Sequence, residues 1–366
     1  MDSAVDRKRV IVAMSGGVDS SVAAALLLRQ GYDVIGVTMR LWTLEDPEAP
    51  LHHRRCCSVD DSEDARAVCD TLGIPHYVLN FEREFQATVV DYFCREYMRG
   101  RTPNPCLACN EHVKFRPLLA KALALEADCL ATGHYSRIER NGNGYELWRA
   151  RDESKDQSYV LYVLGQEELS RVLFPLGDYT KAEVRRIAAE LRLPVADKPD
   201  SAEICFIPRG DYRQFLAQRF PQRPGDIVDG SGRVLGRHPG IGGYTVGQRR
   251  GLPARGGREP LYVLDLDPAG NAVTVGRDDE LLSDRLWAED VSFVSGEAPA
   301  GPRPVGVEAK IRYRSEPAHA LLTVADGRAE VRFQRPQRAV TPGQAVVFYQ
   351  GPRVLGGGII AASSRN

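Results

Sequence analysis

Residues 9–14, RVIVAM, form a short β-branched run that stops at a serine and two glycines, the pattern of a buried strand. Residues 20–29, SSVAAALLLR, are rich in Ala and Leu and end before Gly31, which predicts a helix. DVIGVTM (33–39) and HYVLNF (76–81) read as further strands. Amphipathic spacing predicts a helix over 60–72, closed by Gly73 and Pro75, and others over 82–98 and 111–126. DCLATGHY (128–135) reads as a strand running out at glycine. Strands that alternate with helices predict an α/β domain on a parallel sheet.

After about residue 200 the rhythm changes. Short β-type runs lie between Gly- and Pro-containing turns, as in DIVDGSGRVLGRHPGIGGYTVGQ (226–248), PLYVLDLDPAGNAVTVG (260–276) and HALLTVADGRAEVRFQ (319–334). This predicts three domains: an α/β domain over 1–210, a small β-rich domain over 211–276, and a C-terminal β-barrel over 277–366. The length, 366 residues, accommodates all three.

Composition narrows the class. With 43% hydrophobic and 27% charged residues, collagen-like and largely disordered chains are excluded. The net charge is −1, so any nucleic-acid contact must come from local patches. Residues 303–366 are such a patch, with ten Arg or Lys against four Asp or Glu. Within it Lys310, Arg312 and Arg314 alternate as on one face of a strand, with Tyr313 opposite. Two readings stay open there: a solvated basic face, or a surface that tracks phosphates. Residues 1–9 hold no secretory apolar core and no apolar run is long enough to span a membrane, so a cytoplasmic protein without membrane contact is expected.

Ser15-Gly16-Gly17-Val18-Asp19-Ser20 joins the first strand to the first helix. Free backbone N–H groups and the helix dipole favour an anion at such a junction. The glycines allow close approach, and the serines add hydroxyls. No lysine follows the glycines, so this is neither a GxxxxGK[ST] loop nor a GxGxxG turn. The alternative is a tight turn with Asp19 as helix cap. Met39 and Gly133 end strands of the same sheet, where a doubly wound fold places its ligand.

Eight cysteines lie at 56, 57, 69, 94, 106, 109, 129 and 205. Asn104-Pro105-Cys106-Leu107-Ala108-Cys109-Asn110 reads as a loop before a helix at about 111, with Cys109 near its N-terminus. Cys106, Cys109 and Cys205 suit redox sulfur chemistry or three-thiolate ligation of an iron–sulfur cluster. Buried inert thiols are the other reading, favoured for Cys69, Cys94 and Cys129.

The hexapeptide resembles the loop of the PP-loop ATP pyrophosphatases, an adenine-nucleotide-hydrolase-like, Rossmann-like fold. Over nearly the whole chain, AMSGGVDSSVAA, TPNPCLACN, LATGHYSRI, KDQSYVL, SAEICFIP, YTVGQRRGL and IRYRS resemble the tRNA-specific 2-thiouridylases. That resemblance implies an ATP- and Mg²⁺-dependent tRNA sulfurtransferase. Uridine C2 oxygen at the wobble position, 34, would be adenylated. Sulfur would then come from a cysteine persulfide, leaving 2-thiouridine, AMP and pyrophosphate.

By motif position the resemblance implies Ala13, Met14, Ser15, Gly16, Gly17, Val18, Asp19, Ser20, Met39 and Gly133 as ATP contacts. It implies Cys205 as persulfide carrier, and Cys109 as the thiol that attacks it and forms a transient Cys109–Cys205 disulfide. Asp19 would serve acid–base or Mg²⁺ chemistry. Asn104, Pro105 and Cys106 match the target-base segment. Lys155, Asp156, Gln157, Arg312 and Tyr313 match tRNA contacts. Many members carry Asp where this chain has Cys106. A separate protein of a sulfur relay would deliver the persulfide. The rival readings are another PP-loop tRNA-modifying or amidating enzyme, a non-enzymatic RNA-binding protein, and an iron–sulfur-dependent variant.

Overall fold

The computed structural model describes residues 7–42, 59–142, 144–200, 204–207, 211–253, 260–299 and 303–364. Five strands build the first sheet: β1 (Arg9–Ala13), β2 (Asp33–Arg40), β3 (His76–Asn80), β4 (Cys129–Thr132) and, after a hairpin of β5 (Arg137–Asn141) and β6 (Gly144–Trp148), β7 (Val172–Leu173). Their order is β3-β2-β1-β4-β7, all parallel. Successive residues of β1 serve opposite faces. Val10 and Val12 pack into one apolar cluster and Ile11 into another. Burial on both faces is why this strand is apolar without alternation.

Helix α1 (Val18–Arg29) leaves β1 through the glycine loop, and small alanines let it lie fully against the sheet. Helix α2 (Val59–Leu72) follows β2. Helix α3 spans 82–98 and α4 spans 105–124, each with a widened turn in its middle. In α4 that turn holds Pro117, whose ring would clash with the preceding turn of a regular helix. Helix α5 (Lys181–Glu190) starts at a Thr180–Glu183 capping box.

A four-stranded sheet follows, of β8 (Gly225–Asp229), β9 (Val234–His238), β10 (Tyr262–Asp267) and β11 (Ala272–Gly276). Then β12 (Leu282–Phe293), β13 (Val305–Lys310), β14 (Ala318–Ala325), β15 (Arg328–Arg338), β16 (Ala345–Gln350) and β17 (Arg353–Ser363) close into a six-stranded antiparallel barrel through the β12–β17 pairing. The β5–β6 hairpin extends this barrel at β17, with Leu147 opposite Val354. An α/β domain on a parallel sheet, a central β-rich unit and a C-terminal barrel are the architecture expected.

Two local expectations fail. Residues 105–109 are helical, because Asn104 caps them: its side chain accepts from the Cys106 N–H at 3.0 Å, and Pro105 needs no N–H at the first position. Cys109 therefore stands one turn inside α4. Residues Ser158–Val160 form a short tight turn in which Tyr159 is buried. The chain also leaves the strand after Lys310, because Ser315 turns it. The Ser315 hydroxyl donates to the Arg312 carbonyl at 3.0 Å and lies 3.2 Å from the Arg312 N–H. Arg312 and Arg314 consequently do not share a strand face with Lys310.

Candidate active site

Among the described residues, no side chain caps α1. Gly17 stands at its cap position, and Asp19, in the first turn, points elsewhere. The first N–H groups of α1 therefore remain available to an anion. Gly16 has φ +67°, and a Cβ there would lie 2.3 Å from the Asp61 carbonyl oxygen, so only glycine fits. Ser15 and Ser20 close the loop: the Ser15 N–H donates to Ser20 Oγ at 3.1 Å. Gly133 sits against the start of α1, where a Cβ would come within 2.6 Å of the Ser20 nitrogen. Met39 ends β2 but is buried in the apolar cluster on the other side of the sheet from α1.

The Asp19 carboxylate accepts from Lys181 Nζ at 2.7 and 2.8 Å and from the Tyr135 hydroxyl at 2.7 Å. Burial, and then the Asp19 charge, raise the Tyr135 pKa, so the phenol stays a donor. Lys181, at the first turn of α5, is only 12% exposed and also meets Asp200 at 2.9 Å. Lys198 donates to the Gly16 carbonyl at 3.0 Å, to Asp61 at 2.7 Å and to Asp64 at 2.6 Å. Two ammonium groups thus border the loop, where a polyphosphate would need cations. Sequence reasoning missed Lys181, Lys198, Asp200 and Tyr135. Only Tyr135 lay in a motif already singled out, and the spacing of the others from the loop carries no signal.

His134 follows Gly133 and lies between the rings of Phe115 and Phe174, its Nδ1 2.7 Å from Thr132 Oγ1. Burial, and secondarily the charge of Lys114, push its pKa well below the ordinary value. Below about pH 6.5 the unfolded chain then binds a proton that the folded chain refuses, so stability falls as the pH drops. Urea unfolding at pH 7.5 and 5.5 should show this loss in the wild type and a smaller one in His134→Gln. Equal losses in both would remove His134 as the cause.

The thiols lie on the other face. Cys109 is buried in the cluster of Phe81, Phe85, Phe93 and Phe206, and Cys205 is half-buried against the same cluster. Phe206 anchors the chain beside Cys205, with ring centroids 5.3 Å from Phe93 and 5.4 Å from Phe215. Cys106 is exposed. Burial, with the nearby Asp70, pushes the Cys69 thiol up to about 11, and burial does the same to Cys94. Cys129 is raised as well. The raised values favour the protonated thiol in all three at neutral pH. Cys56 and Cys57 lie outside the described residues. Among the described residues, no three His, Cys, Asp or Glu stand together so as to hold a metal ion.

The segment entering α4 is held from two sides. The Thr102 N–H donates to the Pro342 carbonyl at 2.8 Å, Gln344 donates to the Thr102 carbonyl at 2.8 Å, and Arg101 meets Glu289 of the barrel at 2.7 Å. Thr102 Oγ1 also reaches Thr245 of the middle unit at 3.4 Å. Asn104, Pro105 and Cys106 follow directly.

The residues matched to tRNA contacts divide. Tyr313 is 38% exposed, packs edge-on against Tyr159 at 6.1 Å, and lies close enough to Asp156 and Cys106 for their charge to add to burial in raising its pKa. Lys155 pairs with Asp200 at 2.9 Å. Asp156 turns inward, accepting from the Ala150 N–H at 3.0 Å and from the Ser158 hydroxyl at 2.8 Å. Gln157 accepts from the Tyr135 N–H at 2.9 Å. The Arg312 guanidinium donates to the Ala339 carbonyl and, at 3.2 Å, to Thr341. Arg312→Ala should therefore cost about 2 kcal/mol of stability, as loss of a charged hydrogen bond does. An unchanged melting temperature together with weakened tRNA binding would assign Arg312 to the RNA instead.

A parallel-sheet domain with an uncapped glycine loop, followed by a small β unit and a closed barrel, defines a HUP-class protein with two appended β units. Family models match accordingly: a tRNA methyl transferase HUP domain over residues 8–209, a tRNA methyl transferase PRC-barrel domain over 213–277, and an aminomethyltransferase β-barrel domain over 283–360. A tRNA-specific 2-thiouridylase of Heliobacterium modesticaldum is 54% identical over 362 residues, covering 97% of this chain and 92% of that protein. Its counterpart in Geobacter metallireducens is 53% identical over 363 residues, covering 98% of each. The chain belongs to the tRNA-specific 2-thiouridylase family, a family of enzymes. Among solved structures, a 4-thiouridine synthetase in complex with RNA and ATP matches at 18% identity over 58% of this chain and 50% of that one, with a TM-score of 0.33, too low to bear on the fold. No helix among the described residues is long and apolar enough to cross a membrane.

Proposed function

We propose that this enzyme converts a tRNA uridine, at wobble position 34, into 2-thiouridine. The observation that carries the reading is the pairing of an uncapped, lysine-bordered loop with two thiols, Cys109 and Cys205, on one apolar cluster. ATP is a substrate here, its phosphates held by the first N–H groups of α1 with Lys181 and Lys198. The uridine C2 oxygen attacks the α-phosphorus and pyrophosphate leaves. The terminal sulfur of a persulfide on Cys205 attacks C2 and AMP departs. The Cys109 thiolate then attacks Cys205 Sγ, breaking the S–S bond; the outer sulfur stays on C2, and a Cys109–Cys205 disulfide remains for an external reductant. Mg²⁺ accompanying ATP would find its carboxylate in Asp19 and would neutralise phosphate charge. Asn104, Pro105 and Cys106 flank the base, with Tyr313 beside them. A separate protein of a sulfur relay would load Cys205. We place the enzyme in the cytoplasm, where tRNA and ATP meet.

The HUP model's description speaks of methyl transfer. Two thiols and near-full-length thiouridylase relatives favour sulfur transfer instead. Nucleoside mass spectrometry of tRNA incubated with the protein, ATP, Mg²⁺ and a sulfur source should show 2-thiouridine that depends on ATP. Methylated uridine, or an unmodified base, would overturn the reading.

A further inference from the structure

Asp200 is the meeting point of three cations. Lys155 reaches its Oδ2 at 2.9 Å, while Lys181 and Arg185 reach Oδ1 at 2.9 and 2.8 Å. Partial burial works against this carboxylate, but Lys155 and Lys181 outweigh it and hold its pKa at about 2. One of the three, Lys181, is shared with Asp19 of the phosphate loop. Arg185 also donates to the carbonyls of Ala196 and Lys198, at 3.0 and 3.2 Å, and Lys198 returns to the Gly16 carbonyl. Residues 196–200 are therefore tied to the nucleotide loop at both Lys198 and Asp200. Cys205 is five residues on, at most about 18 Å of extended chain from Asp200.

We propose that Asp200 is a positioning residue that couples occupancy of the phosphate loop to the chain segment carrying Cys205. The inference rests on the nucleotide reading above. A polyphosphate at the start of α1 competes with both carboxylates for Lys181. Asp19, inside the loop, keeps its Tyr135 hydrogen bond. Asp200 keeps Lys155 and Arg185, so it can surrender one cation without being left as an uncompensated charge. Surrender loosens the tie at residue 200 and changes the exposure of the Cys205 thiol. Lys155 joins the segment matched to tRNA contacts to the same carboxylate, so RNA and nucleotide act on one group.

The test is the alkylation rate of Cys205, followed by peptide-resolved mass spectrometry with and without an α,β-methylene ATP analogue. In the wild type the analogue should change that rate by about fivefold or more, the lower end of ordinary coupling between sites. In Asp200→Asn the analogue should still bind, but the rate should already stand near its nucleotide-bound value and stay there. Arg185→Gln, which unties the same segment from its other side, should move the apo rate in the same direction. It serves as the second variant if Asp200→Asn does not fold. A wild-type analogue response retained in full by Asp200→Asn, or by Arg185→Gln in its place, overturns the coupling alone. Failure of the analogue to bind the wild type, measured by calorimetry, overturns the nucleotide reading and the coupling with it.

Discussion

Cys109→Ser and Cys205→Ser are each expected to abolish 2-thiouridine formation, by about 10³-fold or more, as loss of a covalent participant does. Both should leave affinity for an ATP analogue within about twofold, because neither thiol lies on the α1 face of the sheet. Their defects should differ in kind. Intact-mass spectrometry should find one extra sulfur atom on Cys109→Ser after incubation with a persulfide donor, since Cys205 can still be loaded. Cys205→Ser should gain none at that site. Cys109 has room for no bulky modification, being buried, and its proposed role is intramolecular attack. If either serine variant turns over at a near-normal rate, sulfur reaches the base without the pair and the proposed release step is wrong.

Asp19→Ala should abolish adenylation, read as ATP–pyrophosphate exchange in the presence of tRNA, by about 10²-fold or more. Asp19 stands in the first turn of α1, and its carboxylate holds both Lys181 and Tyr135. Removing it leaves Lys181 paired to Asp200 alone, drawn away from the loop. Asp19→Asn separates two roles. It can still accept the Tyr135 hydrogen bond but cannot neutralise Lys181 or a metal ion. If charge is what matters, Asn fails as badly as Ala. If Asn restores most of the exchange rate, Asp19 is a structural acceptor and the catalytic assignment falls. An unchanged far-UV circular dichroism spectrum and melting temperature for both variants would be the control for folding.

Local patterns carried much of the first domain. An apolar, β-branched run that stops at Ser-Gly-Gly reads as a buried strand feeding a turn, and an alanine-rich stretch beyond it can lie flat on a sheet. The three thiols set aside as inert, Cys69, Cys94 and Cys129, each have a pKa that burial raises. The helix at 105–109 was missed because two prolines and an asparagine suggest a loop, yet the same residues are a helix start when asparagine caps and proline takes the first position. Arg312 was misplaced for a related reason. Alternation implies one face only while the chain stays extended, and Ser315 ends the strand first.

The strands and helices of the first domain, its glycine loop and the β-rich second half follow from periodicity and turn residues, since these act over a few neighbours. The ion pairs around the loop do not. Lys181 lies 162 residues from Asp19 and Lys198 lies 182 from Gly16. Nothing in either neighbourhood says which carboxylate each will meet. The same holds for the β5–β6 hairpin joining a barrel two hundred residues away, and for Cys109 and Cys205 sharing one aromatic cluster. Charge and sulfur chemistry act through space, at a few ångströms, so only the packed chain settles which groups work together.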